Sequence, residues 1–170
     1  MLAKYNRWMN EKVFAASAGL DPVALQEDSG AFFKSVHGTL NHILVADILW
    51  LKRFAEHPAD FKSLEYVRGL ETPTELAQIL HDSLEELQQV RSTMDDMIIA
   101  FMDEITDQNL ESELTYKNVK GDPFKRKLSW LLLHLFNHQT HHRGQLTTLL
   151  FQRGIDVGVT DMPAVLPVLD

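Results

Sequence analysis

Four of the chain's eight histidines fall within residues 134–142. Imidazole is the side chain that both titrates near neutral pH and binds divalent metals most readily. His138 and His142 interrupt the series Leu131, Leu135, Leu146, Leu149, and every step of the combined series is four or three residues. On a helix this puts the two rings one turn apart on the core-facing stripe, where both can reach one ion. His42 lies mid-way along a second apolar segment, Leu40 to Leu51, in which only Asn41, His42 and Asp47 are polar. If the two segments pack with these levels aligned, three imidazoles meet. Three protein ligands with open positions are the arrangement of a catalytic rather than a structural metal site.

The alternative is that each ring finds its own hydrogen bond. An unpaired buried imidazole costs about 1–3 kcal/mol, so three would cost about 3–9 kcal/mol, comparable with the stability of a whole domain. For one histidine alone a backbone carbonyl is the expected partner; for three at matched depth a metal is. His134 and His141 sit roughly 100° off the stripe and should flank the site. His37, His57 and His81 read as surface or helix-end residues with no assigned role.

Four long helices would have to position these groups. Leu2, Tyr5, Met9, Val13 and Ala16 mark a first helix over residues 2–18, with Gly19 as its stop. A second runs from about Val36 to Phe54; it is apolar nearly all round, which suits a central helix or one packed on a second subunit. A third is expected from Thr72, Pro73 and Glu75, which fit a capping box with proline at the first helical position. Its stripe would be Leu76, Leu80, Leu87, Val90, Met94, Met97 and Phe101, ending near 103–106. Residues 113–127, with Leu114, Tyr116 and Val119 loosely alternating before Gly121-Asp122-Pro123, read as a crossover with a short hairpin. The fourth helix spans about Leu128 to Arg153, and the tail lies extended across the bundle. The expected fold is all-α, a four-helix bundle forming a single domain over 1–170.

The chain has 170 residues, a net charge of −8 and no cysteine. Disulfides, Cys-ligated metals and a cysteine nucleophile are excluded. The acidic balance disfavours nucleic acid, no apolar run is long enough to span a membrane, and the first residues carry no secretory h-region. A cytoplasmic location is expected.

No glutamate has a histidine three residues later, so the di-iron carboxylate pattern of helical bundles is missing. His-Glu-x-x-His, the P-loop and Gly-x-Gly-x-x-Gly are missing too. Asp47 and Arg143 turn away from the ligand stripe and read as a structural ion pair or packing groups. Gly144, inside a helix, costs about 1 kcal/mol relative to alanine; close approach of a helix or substrate would explain it, as would simple tolerance. Lys117, Lys120, Lys125, Arg126 and Lys127 give a solvated basic loop, or a funnel for an anionic substrate. Trp8, Tyr5 and Trp50 could line a pocket, though aromatics at helical spacing are more often core.

Leu40-Asn41-His42-Ile43-Leu44-Val45-Ala46-Asp47 with Trp50-Leu51, and Asn137-His138-Gln139-Thr140-His141-His142-Arg143-Gly144-Gln145, resemble the second- and fourth-helix signatures of the DinB family. Trp8 and Asn10 match its first-helix Trp-x-Asn, and Arg153-Gly154-Ile155-Asp156-Val157-Gly158 with Asp161 fits its tail. The resemblance spans essentially the whole chain. It implies a DinB/YfiT-like four-helix bundle, often dimeric, with a divalent metal such as zinc or nickel on His42, His138 and His142. Related members include bacillithiol S-transferases and mycothiol-dependent maleylpyruvate isomerase, which handle a low-molecular-weight thiol.

The expectation is therefore a divalent-metal-dependent enzyme that transfers or adds a low-molecular-weight thiol to an electrophilic small molecule, working as a homodimer. Tyr5 and Asn10 are candidate substrate contacts, and no separate catalytic base stands out. The alternatives are a metal-dependent hydrolase and a non-catalytic metal- or ligand-binding stress-response module.

Overall fold

The computed structural model describes residues 1–118 and 120–168. Four long helices make the bundle: α1, Leu2–Ser17; α2, Val36–Ala55; α3, Leu84–Glu104; and α4, Leu128–Phe151. Helix α1 packs on α3 and α4, and α2 packs on α4. Residues 42, 47 and 50 of α2 meet residues 142, 139 and 134 of α4, so these two helices run antiparallel. The core includes Phe54, Phe61, Phe101, Leu44, Leu51, Met94, Leu135 and Leu146, all essentially inaccessible to solvent.

Helix α2 is enclosed by its own chain: residues 36–48 are all buried. Its all-round apolar character is thus satisfied within one molecule, and a second subunit would have to use another surface. The ten residues before it explain its entry angle. Ser35 caps the helix by accepting from Gly38 N at 2.9 Å. Gly38 lets the preceding turn fold back over the helix, because a Cβ there would lie 2.1 Å from the Phe33 carbonyl oxygen. Lys34, at φ 70°, completes that tight reversal.

The third helix begins about three turns later than its sequence signals propose. Residues 71–83 are irregular, and α3 starts at Leu84 with Ser83 as its cap. The Thr72-Pro73-Glu75 capping box does not form, and Leu76 and Leu80 are off the helical stripe that Leu87, Met94, Met97 and Phe101 bury. Tertiary partners account for this. The His81 carbonyl accepts from Asn41 Nδ2 and pairs with His37 Nε2, and the Leu80 and His81 amides donate to Asn41 Oδ1. Backbone groups that a helix would use internally are held by α2 instead.

The crossover contains the expected hairpin: β1, Glu113–Lys117, pairs antiparallel with β2, Pro123–Lys127. Val119, part of the expected alternation, lies outside the described residues. His37 and His57 are helix-end residues as read, but both are buried, at 4% and 6% exposure, rather than on the surface. No helix among the described residues is long and apolar enough to cross a membrane.

Candidate metal centre

His42 comes from α2, and His138 and His142 come from successive turns of α4. Their Nε2 atoms lie 3.1 Å apart for His42–His142 and His138–His142, and 3.3 Å for His42–His138. Tetrahedral ligation at about 2.0–2.1 Å sets ligand nitrogens ~3.3 Å apart, so the triangle has the size that one ion requires.

The outer ring nitrogens fix which atoms face the centre. His42 Nδ1 donates to the Leu76 carbonyl at 2.8 Å, and His142 Nδ1 donates to Gln145 Oε1 at 2.8 Å. Each ring then presents an Nε2 lone pair inward. His138 Nδ1 is buried without a hydrogen-bond partner. One N–H from His138 could serve only one of the two facing lone pairs well, so the three rings by themselves cannot be satisfied. A cation at the centre satisfies all three.

The electrostatics agree. Burial, with the other imidazoles adding to it, holds His138 down to about 3; burial lowers His42 to about 4 against the opposing Leu76 carbonyl. Burial lowers His142 as well. At pH 7 all three are neutral donors, the protonation state that metal ligation needs.

The surrounding side chains hold these rings still. Phe33 stacks on His42 with centroids 3.6 Å apart and 13° between planes, and meets His142 edge-on. Gln145 accepts from His142 and bonds His141 Nε2 at 3.2 Å, so His141 supports a ligand through an intermediary. His134 lies edge-on to Trp50 and 5.9 Å from the His138 centroid. Both flank the triad, as their helical angle indicates. Phe33, Leu76 and Gln145 were not signalled by sequence; only Gln145, three residues beyond His142, stood at a spacing that could have raised it.

Tyr5 and Asn10, the candidate substrate contacts, are engaged elsewhere. Tyr5 donates to the Thr160 carbonyl at 2.7 Å, and Asn10 Nδ2 donates to Asp95 Oδ1 at 2.9 Å. Asn10 belongs to a buried polar lattice that ties the four long helices together. Asp47 on α2 pairs with Arg91 on α3 at 2.5 Å and accepts from Gln139 on α4. Arg91 lies 3.0 Å from Asp95 across one helical turn. Arg143 on α4 donates to Asn6 and Asn10 on α1 and to Gln139. The structural role read for Asp47 and Arg143 is the one they have, though their partners are other residues and not each other.

Gly144 faces open space, with no heavy atom within 4 Å of an added Cβ, so no helix approaches it. On the hairpin, Lys125 and Lys127 are neutralised by Glu113 and Glu111 at 2.5 and 2.6 Å.

A sequence model of the DinB family matches residues 1–167. The chain is 27% identical over 160 residues to Protein DinB of Bacillus subtilis (strain 168), covering 94% of this chain and 88% of that protein. It also resembles the crystal structure of a DinB-like protein from Bacillus cereus ATCC 10987, with a TM-score of 0.57, 22% identity and 89% of each chain covered. That likeness concerns the fold alone.

Proposed function

The chain belongs to the DinB family, and from that premise we propose that it is a divalent-metal-dependent enzyme whose ion is held by His42, His138 and His142. The observation that carries the proposal is the triangle of three Nε2 atoms, 3.1–3.3 Å on a side, whose rings cannot all satisfy one another. Zinc or nickel suits three neutral imidazoles. A bound ion would supply a Lewis acid that lowers the pKa of a thiol or a water placed on it.

The substrate pair we propose is a low-molecular-weight thiol and an electrophilic small molecule. The resemblance to thiol-handling members supports this, and the cysteine-free chain requires that any thiol come from a cosubstrate. The chain's own part is to hold the rings. The Leu76 carbonyl and Gln145 fix two tautomers, Phe33 screens one side of His42, and burial, full for His42 and His142 and partial for His138, keeps the rings unprotonated.

Elemental analysis of tag-free protein beside His138→Ala tests the first step. One divalent ion per chain, lost in the variant, is expected; a metal-free protein that also refuses reconstitution overturns it. Turnover of an electrophile panel with and without added thiol tests the second. Thiol-independent turnover would favour the hydrolase reading, and metal binding with no turnover would favour the binding module.

A further inference from the structure

A large cleft among the described residues lies away from the three histidines. It has a volume of about 560 Å³ and lies between the C-terminal half of α2, residues 72–74 and the end of β1. That volume is in the range of small-molecule sites. Its wall carries Lys52, Arg53, Arg68 and Lys117 against one acid, Glu56, in a protein whose net charge is −8.

Three of these cations, Lys117, Arg53 and Lys52, have no acidic partner within ion-pair distance among the described residues. Lys117 is exposed at the end of β1. The Arg53 guanidinium lies over the rings of Trp50 and Tyr116, at 4.5 and 5.4 Å from their centroids. Stacking orients it without neutralising it. Lys52 donates only to the Arg68 carbonyl. Arg68 itself is paired with Asp60 and Glu65 and serves mainly as a wall.

The cleft is connected to the triad. Leu49 and Arg53 follow His42 by seven and eleven residues, which puts them within about 20° of it on α2 and roughly 10 and 16 Å along the axis. Thr72, Pro73 and Thr74 line the cleft, and Leu76 two residues on holds His42. On the other side Arg53 stacks on Trp50, Trp50 packs on His134, and His134 adjoins His138. One helical face and two runs of neighbouring residues relate the basic cleft to the three histidines.

We propose that this cleft is an anion subsite. Arg53 and Lys117, with Lys52, take the carboxylate or phosphate end of an elongated small molecule whose reactive end reaches the three histidines. The destination of that reactive end rests on the proposed function; the anion site does not.

The test uses inorganic pyrophosphate and succinate as probes, titrated into the protein and followed by Trp fluorescence and amide NMR. One probe should bind with shifts confined to residues 49–56, 72–74 and 115–118. Binding should weaken at least tenfold in Lys117→Gln and in Arg53→Gln, and be unchanged in Lys125→Gln. The probe that binds tighter identifies a phosphorylated or a carboxylated partner. His138→Ala should bind the probe as the wild type does, so a failed metal site and a failed anion site give different results. Equal weakening in Lys117→Gln and Lys125→Gln, or no weakening in either, overturns the subsite even if Arg53→Gln misfolds. With cobalt loaded at the triad, paramagnetic relaxation should place the bound probe roughly 10–16 Å from the ion; direct ligation of the probe to cobalt would also overturn it.

Discussion

The bundle buries two polar clusters side by side, both shared by α2 and α4, and they differ in the kinds of group they bring together. The lattice of Asp47, Arg91, Asp95, Arg143, Gln139, Asn6 and Asn10 mixes two carboxylates, two guanidiniums and three amides. Most donors meet acceptors and the formal charges cancel, although Asp47 Oδ1 and Arg91 Nε and Nη2 are buried without a hydrogen bond, Nη2 lying 3.0 Å from Asp95. The triad is three copies of one neutral group with lone pairs facing one another. Burial costs both; the lattice offsets much of that cost by pairing opposite charges within the protein, whereas three neutral imidazoles have no opposite charge to pair with. A buried polar cluster that lacks its own complement is the one that calls for a ligand.

Removing one member of each cluster separates them most sharply. Asp47→Ala leaves Arg91 as a buried cation short of a partner, and should cost about 3–5 kcal/mol in urea unfolding. His138→Ala should cost the metal-free protein about 1 kcal/mol, the ordinary figure for a point substitution, while abolishing metal binding. Equal costs for the two variants would break the comparison.

Next in size is the support of a ligand. Gln145→Ala removes the acceptor that holds His142 Nδ1 and should weaken metal affinity about 10–100-fold, read by competition with a chelator, with little change in unfolding free energy. A change in stability without a change in affinity would place Gln145 outside the centre.

Acid should act on the two clusters with opposite sign. For His138 and His42 the folded values, about 3 and about 4, lie below the ordinary 6.5. As pH falls below 6.5 the unfolded chain takes protons that the folded one refuses. Metal-free stability from these groups is present above pH 6.5 and declines toward pH 4 and below. Burial raises Asp47 to about 6, from 3.8, against the pull of Arg91. Between pH 6 and 3.8 the folded protein therefore binds the extra proton, and that group gains stability on acidification. Melting curves from pH 7 to 5 should fall less steeply in His138→Ala and more steeply in Asp47→Asn than in the metal-free wild type.

The smallest effect tests the exposed surface of α4 at Gly144. Gly144→Ala places a methyl where nothing lies within 4 Å and should raise stability by about 1 kcal/mol. A gain in stability with loss of activity would show that substrate passes over this residue.

Much of the site was legible because helical spacing is a local property. The i, i+4 pair His138 and His142 in a leucine stripe, the level of His42 in α2, and the break at Gly121–Pro123 that turns the hairpin all follow from residues close in the chain. The start of α3 was misjudged for the complementary reason. Thr72, Pro73 and Glu75 are a sound local start signal, but His37, Asn41 and His42 claim the carbonyls and amides of residues 76–81 from 34–44 residues away. Phe33 stacking on His42, Gln145 turning to His142, and the choice of Arg91 rather than Arg143 as the ion-pair partner of Asp47 are also tertiary outcomes. Composition and periodicity determined four amphipathic helices and put three imidazoles at comparable depth. Only packing decided that their lone pairs face one another and what holds them there, because a buried polar atom must find a partner wherever the fold supplies one, and sequence proximity does not restrict that choice.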